Sequence, residues 1–278
     1  MDRDGERRTF AADGILGAAA EPRGRVLSHR TVFVRSLLFH VAAFALLLPL
    51  IPFMPLMLVI ARSSSRPFLF AYLRLLAWLL RVICGIDHRI EGREILPPAP
   101  FLLASRHESA WEVVFFPLFF DDPAAFAKKE IFSYPLSGWV ARRGHIAVDR
   151  DGDLAGLRTA FESARRMVGR GRNILIFPSG TRHVGGRDRI RSGVGVLYDL
   201  LDVPCVPVTL DSGRCWPPGK WLKYPGTIHV RIGEPIAPGL DRHTFFEVLR
   251  DRLAVASSEA PPAERPNDAG SADEPTRA

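Results

Sequence analysis

Ser105-Arg106-His107-Glu108-Ser109-Ala110-Trp111-Glu112 stands between two apolar runs, Phe101-Leu102-Leu103-Ala104 before it and residues 113–120 after it. Four apolar residues, a short polar stretch and a longer apolar segment predict a buried strand, a turn and a helix, the junction from which α/β folds are built. With His107 in the turn and Glu112 in the first helical turn, the carboxylate can lie beside one ring nitrogen. It would fix the tautomer and stabilise the cation formed when the other nitrogen takes a proton, which describes a general-base pair. A second description fits the same residues. Ser109-Ala110-Trp111-Glu112 has the spacing of a capping box, in which hydroxyl and carboxylate satisfy orphan amides at a helix start.

The rest of the chain supplies the setting. With 278 residues and 47% hydrophobic content, it has ample material for one large core or two small ones. Thirty-seven Lys and Arg against 30 Asp and Glu give a formal charge of +7. Such a surplus suits nucleic acid, an anionic membrane surface or phosphorylated substrates. Nucleic acid is disfavoured, because the basic residues are not interleaved with stacking aromatics and the chain holds a long uncharged segment. Cys84, Cys205 and Cys215 share no CxxC spacing, so no metal site, disulfide framework or cofactor is expected, and a reducing compartment fits.

Upstream, residues 1–30 are polar and Arg-rich without periodicity and read as a disordered basic arm, with nothing resembling a signal peptide. Residues 36–61 carry no formal charge, and at about 1.5 Å per helical residue they could cross a hydrocarbon core. Pro49, Pro52 and Pro55 interrupt them, so a helix to about Leu48 followed by a kinked or re-entrant half stands equally beside a straight crossing. Residues 62–66 read as a polar turn, and residues 68–86 as an apolar helix with Arg74 and Arg81 on one face, an interfacial pattern rather than a second span. Arg35, Arg62, Arg66, Arg74 and Arg81 would then sit at headgroup level on the cytoplasmic side. Residues 31–86 are thus expected to form a membrane-associated helical pair; the competing reading is two core helices of a soluble domain.

Downstream, residues 87–256 read as an α/β catalytic domain, with strands at 124–127, 145–148, 173–177, 206–210 and 227–232 and helices at 154–168 and 241–255. Pro204 and Pro207 place the strand at 206–210 near an edge or at a bulge. In Phe177-Pro178-Ser179-Gly180-Thr181-Arg182, Pro and Gly at a strand end make a tight turn. It would present the Thr181 hydroxyl and Arg182 guanidinium at the sheet edge, where α/β proteins bind ligands. A forked guanidinium suits a phosphate; Arg187, Arg189 and Arg191 follow closely, and a solvated turn with surface arginines is the alternative. Trp216, Trp221, Lys220 and Lys223 form an aromatic-basic patch suited to headgroup anchoring or loop packing. Residues 257–278, rich in Pro, Ala, Ser and acidic residues, read as a disordered tail.

Taken together, His107 with Glu112, Lys128-Lys129-Glu130, residues 144–150, Phe177-Pro178-Ser179-Gly180-Thr181-Arg182 and Val203-Pro204-Cys205-Val206-Pro207-Val208 have the order and rough spacing of the four blocks of the lysophospholipid acyltransferase family. The chain resembles its bacterial 1-acylglycerol-3-phosphate acyltransferases over roughly residues 70–250. The resemblance implies a mixed sheet flanked by helices, held on the cytoplasmic face of the inner membrane by its N-terminal helices. It implies transfer of an acyl chain from acyl-CoA or acyl-carrier protein to the free hydroxyl of lysophosphatidic acid. His107 would be the base and Glu112 its partner; Arg150, Arg182 and Lys129 would hold the acceptor phosphate beside Thr181, in a loop shaped by Gly180. The backbone amides around Ser109 or near Gly180 would serve the oxyanion. The chain departs from the family pattern at Arg106 for Asn, Glu112 for Asp and Ser179 for Glu. The last change keeps open another lysolipid acceptor, such as lyso-ornithine lipid, or a catalytically silent lipid-binding membrane protein.

Overall fold

The computed structural model describes residues 28–53, 56, 60, 62–134, 137–149, 154–182, 184 and 190–258. Most of the expected arm (1–30) and tail (257–278) lies outside them, but residues 28–30 open the first helix and residues 257–258 close the last one. Helix α1, His29–Leu47, starts on Ser28, whose hydroxyl accepts from the Thr31 amide. It gives way to a 3-10 turn, Leu48–Phe53. The helix thus stops where the first proline was expected to break it, since Pro49 and Pro52 lack the amides an α-helix needs.

Helix α2, Arg62–Leu79, runs into a π turn, Leu80–Cys84. Residues 62–66 are therefore the first turns of a helix, not a polar loop. Tertiary partners override the local preference: Arg143 donates to the Ser65 hydroxyl, and Arg66 pairs with Asp121. Arg81 pairs with Asp87 at 3.2 Å, so these two arginines face protein carboxylates rather than standing free as headgroup ligands. Arg74 is exposed.

The strands β1 (Ile86–Glu91), β2 (Leu102–Ser105), β3 (Ala124–Lys128), β4 (Ile146–Val148), β5 (Ile174–Ile176), β6 (Cys205–Leu210) and β7 (Gly226–Ile232) form one sheet in the order β1-β7-β6-β2-β5-β3-β4. Strands β6, β2, β5, β3 and β4 are mutually parallel, and β7, antiparallel to β6, carries β1 parallel to itself. The sheet is mixed, as expected. β2, fully buried on both faces, reads as a continuous apolar run for that reason.

Alternation along the strands feeds two cores. Leu103, Leu175, Val206 and Val208 face Phe39 of α1, Leu76 of α2 and Trp111, Phe115 and Phe116 of α3 (Trp111–Phe119). Leu102, Ala104 and Ile174 face α5 (Leu154–Val168), α6 (Gly193–Leu201) and α8 (Arg242–Ser258) on the other side. Short helices α4 (Ser137–Arg142) and α7 (Ser212–Cys215) complete the set. Strand β1 and helices α4, α6 and α7 were not anticipated, and α8 runs three residues beyond its expected end.

Of the two settings expected for the prolines of β6, an edge or a bulge, the structure has the bulge. β6 lies inside the sheet between β7 and β2, with all six residues buried. Pro207 is accommodated because it sits at a bulge. Val208 pairs with Ile232, but Cys205 pairs with Ile236, one residue out of register, so the missing amide falls where the β7 ladder is interrupted.

Candidate active site

Three adjacent parallel strands, β6, β2 and β5, release their carboxyl ends on one edge of the sheet. The chain steps outward from β2 to β3 and β4, returns to β5 beside β2, and then crosses β2 to reach β6. A strand-order reversal of this kind opens the crevice in which α/β proteins bind ligands. His107 follows β2, the Phe177–Arg182 turn follows β5, and Asp211-Ser212-Gly213 follows β6.

The His107 Nδ1 donates to Glu112 Oε1 at 2.9 Å, and the imidazole lies flat on Phe177, ring centroids 3.9 Å apart and 16° from parallel. A carboxylate only accepts, so the second ring nitrogen of the neutral imidazole keeps its lone pair. His107 retains 12% side-chain exposure while Glu112 has none. Four further donors reach Glu112. The amides of Glu108 and Ser109 bond Oε1, each at 2.7 Å; the hydroxyls of Ser109 and Ser212 bond Oε2 at 3.0 and 2.7 Å.

Burial pushes the Glu112 carboxyl up, but the His107 and Ser109 hydrogen bonds, the imidazole charge and Ser212 outweigh it and hold the group below the usual carboxylate range. The contacts that the two descriptions call for are present together, with the Ser109 hydroxyl also accepting from the Trp111 amide at 2.9 Å. Glu112 reaches back to the Ser109 amide as a capping box requires, and the same oxygen takes the proton of Nδ1. Of the amides expected to serve an oxyanion, three are otherwise engaged: those of Glu108 and Ser109 serve Glu112, and that of Gly180 donates to Phe177 O at 2.9 Å.

Glu108, buried beside the pair, shifts the opposite way. Burial raises it to about 7 against Arg106, 3.8 Å away, and the Gly213 amide, 3.2 Å away. Arg106, the departure from the family Asn, thus faces inward to Glu108.

On β5, Gly180 takes φ +71°, and its missing Cβ leaves room for Arg191 Nε, which would lie 3.1 Å from such an atom. Thr181 and Arg182 are exposed, and among the described residues nothing pairs with the Arg182 side chain. Lys129 follows β3, about 10 Å along the edge from β2 at the usual strand spacing, and its ammonium faces Asp149. Arg150 lies outside the described residues. The Trp–Lys patch divides: Lys223 is buried over the Trp216 ring at 4.2 Å and bonds Trp221 O at 2.8 Å, whereas Trp221 is 41% exposed and meets Phe33 of α1 edge-on. No cluster able to hold a metal ion occurs among the described residues.

Similarity to known proteins makes the chain a glycerolipid acyltransferase. Residues 87–211 match the Acyltransferase family model, and the chain belongs to that family. A 1-acyl-sn-glycerol-3-phosphate acyltransferase from Pseudomonas aeruginosa is 33% identical over 187 residues, covering 66% of this chain and 70% of its own. The lyso-ornithine lipid O-acyltransferase of the same organism is 28% identical over 209 residues, covering 66% of this chain and 79% of its own. In fold, the chain matches the crystal structure of the 1-acyl-sn-glycerophosphate (LPA) acyltransferase PlsC from Thermotoga maritima. The TM-score is 0.63 at 21% identity, over 84% of this chain and all of that one.

Proposed function

We propose that the protein transfers a fatty acyl chain from acyl-CoA or acyl-carrier protein to the sn-2 hydroxyl of lysophosphatidic acid, giving phosphatidic acid, with His107 as general base. The observation that carries the reading is the hydrogen bond from His107 Nδ1 to a fully buried, ionised Glu112. The other ring nitrogen takes the acceptor hydroxyl proton as the oxygen attacks the thioester carbonyl carbon. Glu112 stabilises the imidazolium. The tetrahedral intermediate collapses with cleavage of the C–S bond, and the imidazolium proton passes to the departing sulfur. With a thiol pKa of about 8.5, that sulfur leaves easily. No covalent enzyme intermediate is needed.

Arg182 and Thr181, on the turn shaped by Gly180, hold the acceptor phosphate. Arg150 joins them on the strength of the sequence resemblance, and Lys129 takes a smaller share because Asp149 already faces it. Orientation by these contacts supplies much of the rate.

Membrane association at the cytoplasmic face of the inner membrane is part of the proposal. The described helical stretches His29–Phe53 and Ser64–Cys84 are long and apolar enough to cross a bilayer, and Phe33, Leu38, Val41 and Phe44 of α1 and Phe68 and Trp78 of α2 are exposed. An apolar surface of that kind marks a lipid or partner contact.

The test is acyl transfer by the detergent-purified protein. Wild type is expected to consume thioester with lysophosphatidic acid, and His107→Ala to lose nearly all of that activity. Retention within tenfold removes the base role. The similarity to the lyso-ornithine lipid enzyme, with Ser179 in place of Glu, favours that acceptor as the second reading; faster turnover of lyso-ornithine lipid than of lysophosphatidic acid would select it.

A further inference from the structure

We infer that Arg191 is a second phosphate-binding arm of the acceptor site and makes it prefer a phosphomonoester to a phosphodiester lysolipid. The inference rests on the lysophosphatidic acid reading and deepens it. Arg191 stands just before α6, eleven positions after Gly180, yet it is fastened to the β5 turn at two points. Its amide donates to Pro178 O at 2.9 Å and its Nε to Ser179 O at 3.1 Å.

These anchors lay the guanidinium across Gly180, with Cζ 3.6 Å from where a Cβ would stand. A side chain there would push it away. The terminal nitrogens meet no partner among the described residues, and the side chain is exposed. The turn from Phe177 to Arg182 contains no carboxylate. Arg182, also without a described partner, stands two residues beyond Gly180. Phe177, whose carbonyl closes the turn onto the Gly180 amide, lies flat against His107. One guanidinium therefore lies across a turn that touches the imidazole, and a second is carried by an exposed residue of the same turn.

Charge decides what such a pair selects. A phosphomonoester carries close to two negative charges near neutral pH and a phosphodiester only one, so the second arginine adds most for the monoester. Arg191 also has its Nε already bound, so less side-chain freedom is lost when its outer nitrogens close on a ligand.

Arg191→Gln and Arg191→Lys are assayed with lysophosphatidic acid, with a phosphodiester lysolipid such as lysophosphatidylglycerol, and with monoacylglycerol. For Arg191→Gln, the KM for lysophosphatidic acid is expected to rise about tenfold to a hundredfold, with kcat and donor KM within about threefold and the phosphodiester little changed. Arg191→Lys, which keeps charge without the fork, should fall between and guards against a misfolded Gln variant. If wild type prefers lysophosphatidic acid and both variants keep that preference undiminished, Arg191 is not a phosphate ligand and only this inference fails. If wild type prefers the phosphodiester, the lysophosphatidic acid reading fails and takes the inference with it.

Discussion

The two halves of the sheet edge are built on opposite principles. At the β2 and β6 ends, Glu112 has no exposed surface and takes five hydrogen-bond donors, one of them from Ser212 a hundred residues away. At the β5 end, Arg182 and Thr181 stand in solvent on a turn, with exposed Arg191 fastened across it. The buried end is fully hydrogen-bonded with no ligand present, whereas the open end carries the guanidinium groups that the proposed function assigns to the acceptor phosphate. Changes at the buried end should therefore act on kcat and stability, and changes at the open end on acceptor KM.

The largest effect expected is at the buried end. His107→Ala should lower kcat by about a thousandfold or more, within the range for loss of a general base, with acceptor KM little changed. A large KM rise with kcat preserved would break the comparison. Glu112→Gln should lower kcat about a hundredfold and also lower the melting temperature, because an amide nitrogen would face hydroxyls that now donate to a carboxylate. The stability contributed by Glu112 is present above the ordinary carboxylate range and is lost as the pH falls through its depressed native value.

At the open end, Arg182→Ala should raise acceptor KM about tenfold with kcat nearly intact. The wild-type KM should climb with ionic strength, since an exposed guanidinium is screened by salt. A salt-independent KM would mean that the phosphate is held somewhere more enclosed.

Legibility in the sequence follows the same division. His107 and Glu112 were readable because both lie in one strand-turn-helix junction, where five positions fix their approach. Ser212 and Gly213 were not, since only the β6–β2 pairing brings them to Glu112 and Glu108. Arg191 looked like one surface arginine among several until its two bonds to the β5 turn were seen. Strand β1, Ile86-Asp87-His88-Arg89-Ile90-Glu91, has too few apolar residues to announce itself; β7 pairs with it regardless. Pro207 left two settings open, because a proline signals a missing ladder bond and that bond can be missing at a bulge as well as at an edge; only the pairing of β6 with β7 decides for the bulge.

A smaller effect distinguishes two acids within the buried end. Glu108 is raised from 4.5 to about 7 by burial, so the folded chain holds its proton more tightly than the unfolded one. Its contribution to stability is then present at low pH and lost as the pH rises from about 4.5 to about 7, the reverse of Glu112. Glu108→Gln should flatten that loss, seen as melting temperatures that change less between pH 5 and pH 8 than in wild type. An unaltered pH profile would show that Arg106 already compensates the charge.

The smallest expected change tests how finished the buried end is. Ser212→Ala removes one of the two hydroxyls on Glu112 Oε2, leaving Ser109 at 3.0 Å and both amides on Oε1 in place. One lost hydrogen bond to a charged group corresponds to about tenfold or somewhat more, and with the other four donors in place kcat should fall by about tenfold, at the low end of that range, with both KM values unmoved. Because Ser212 helps keep Glu112 ionised, its loss should also move the acid limb of the kcat profile to higher pH, and Ser212→Thr should restore both. Ser212 comes from the far side of β2 and, among the described residues, is linked to His107 through Glu112. A shifted acid limb would thus show the positioning of the base passing through the carboxylate, and a changed KM with an unmoved limb would make Ser212 a part of the substrate wall instead.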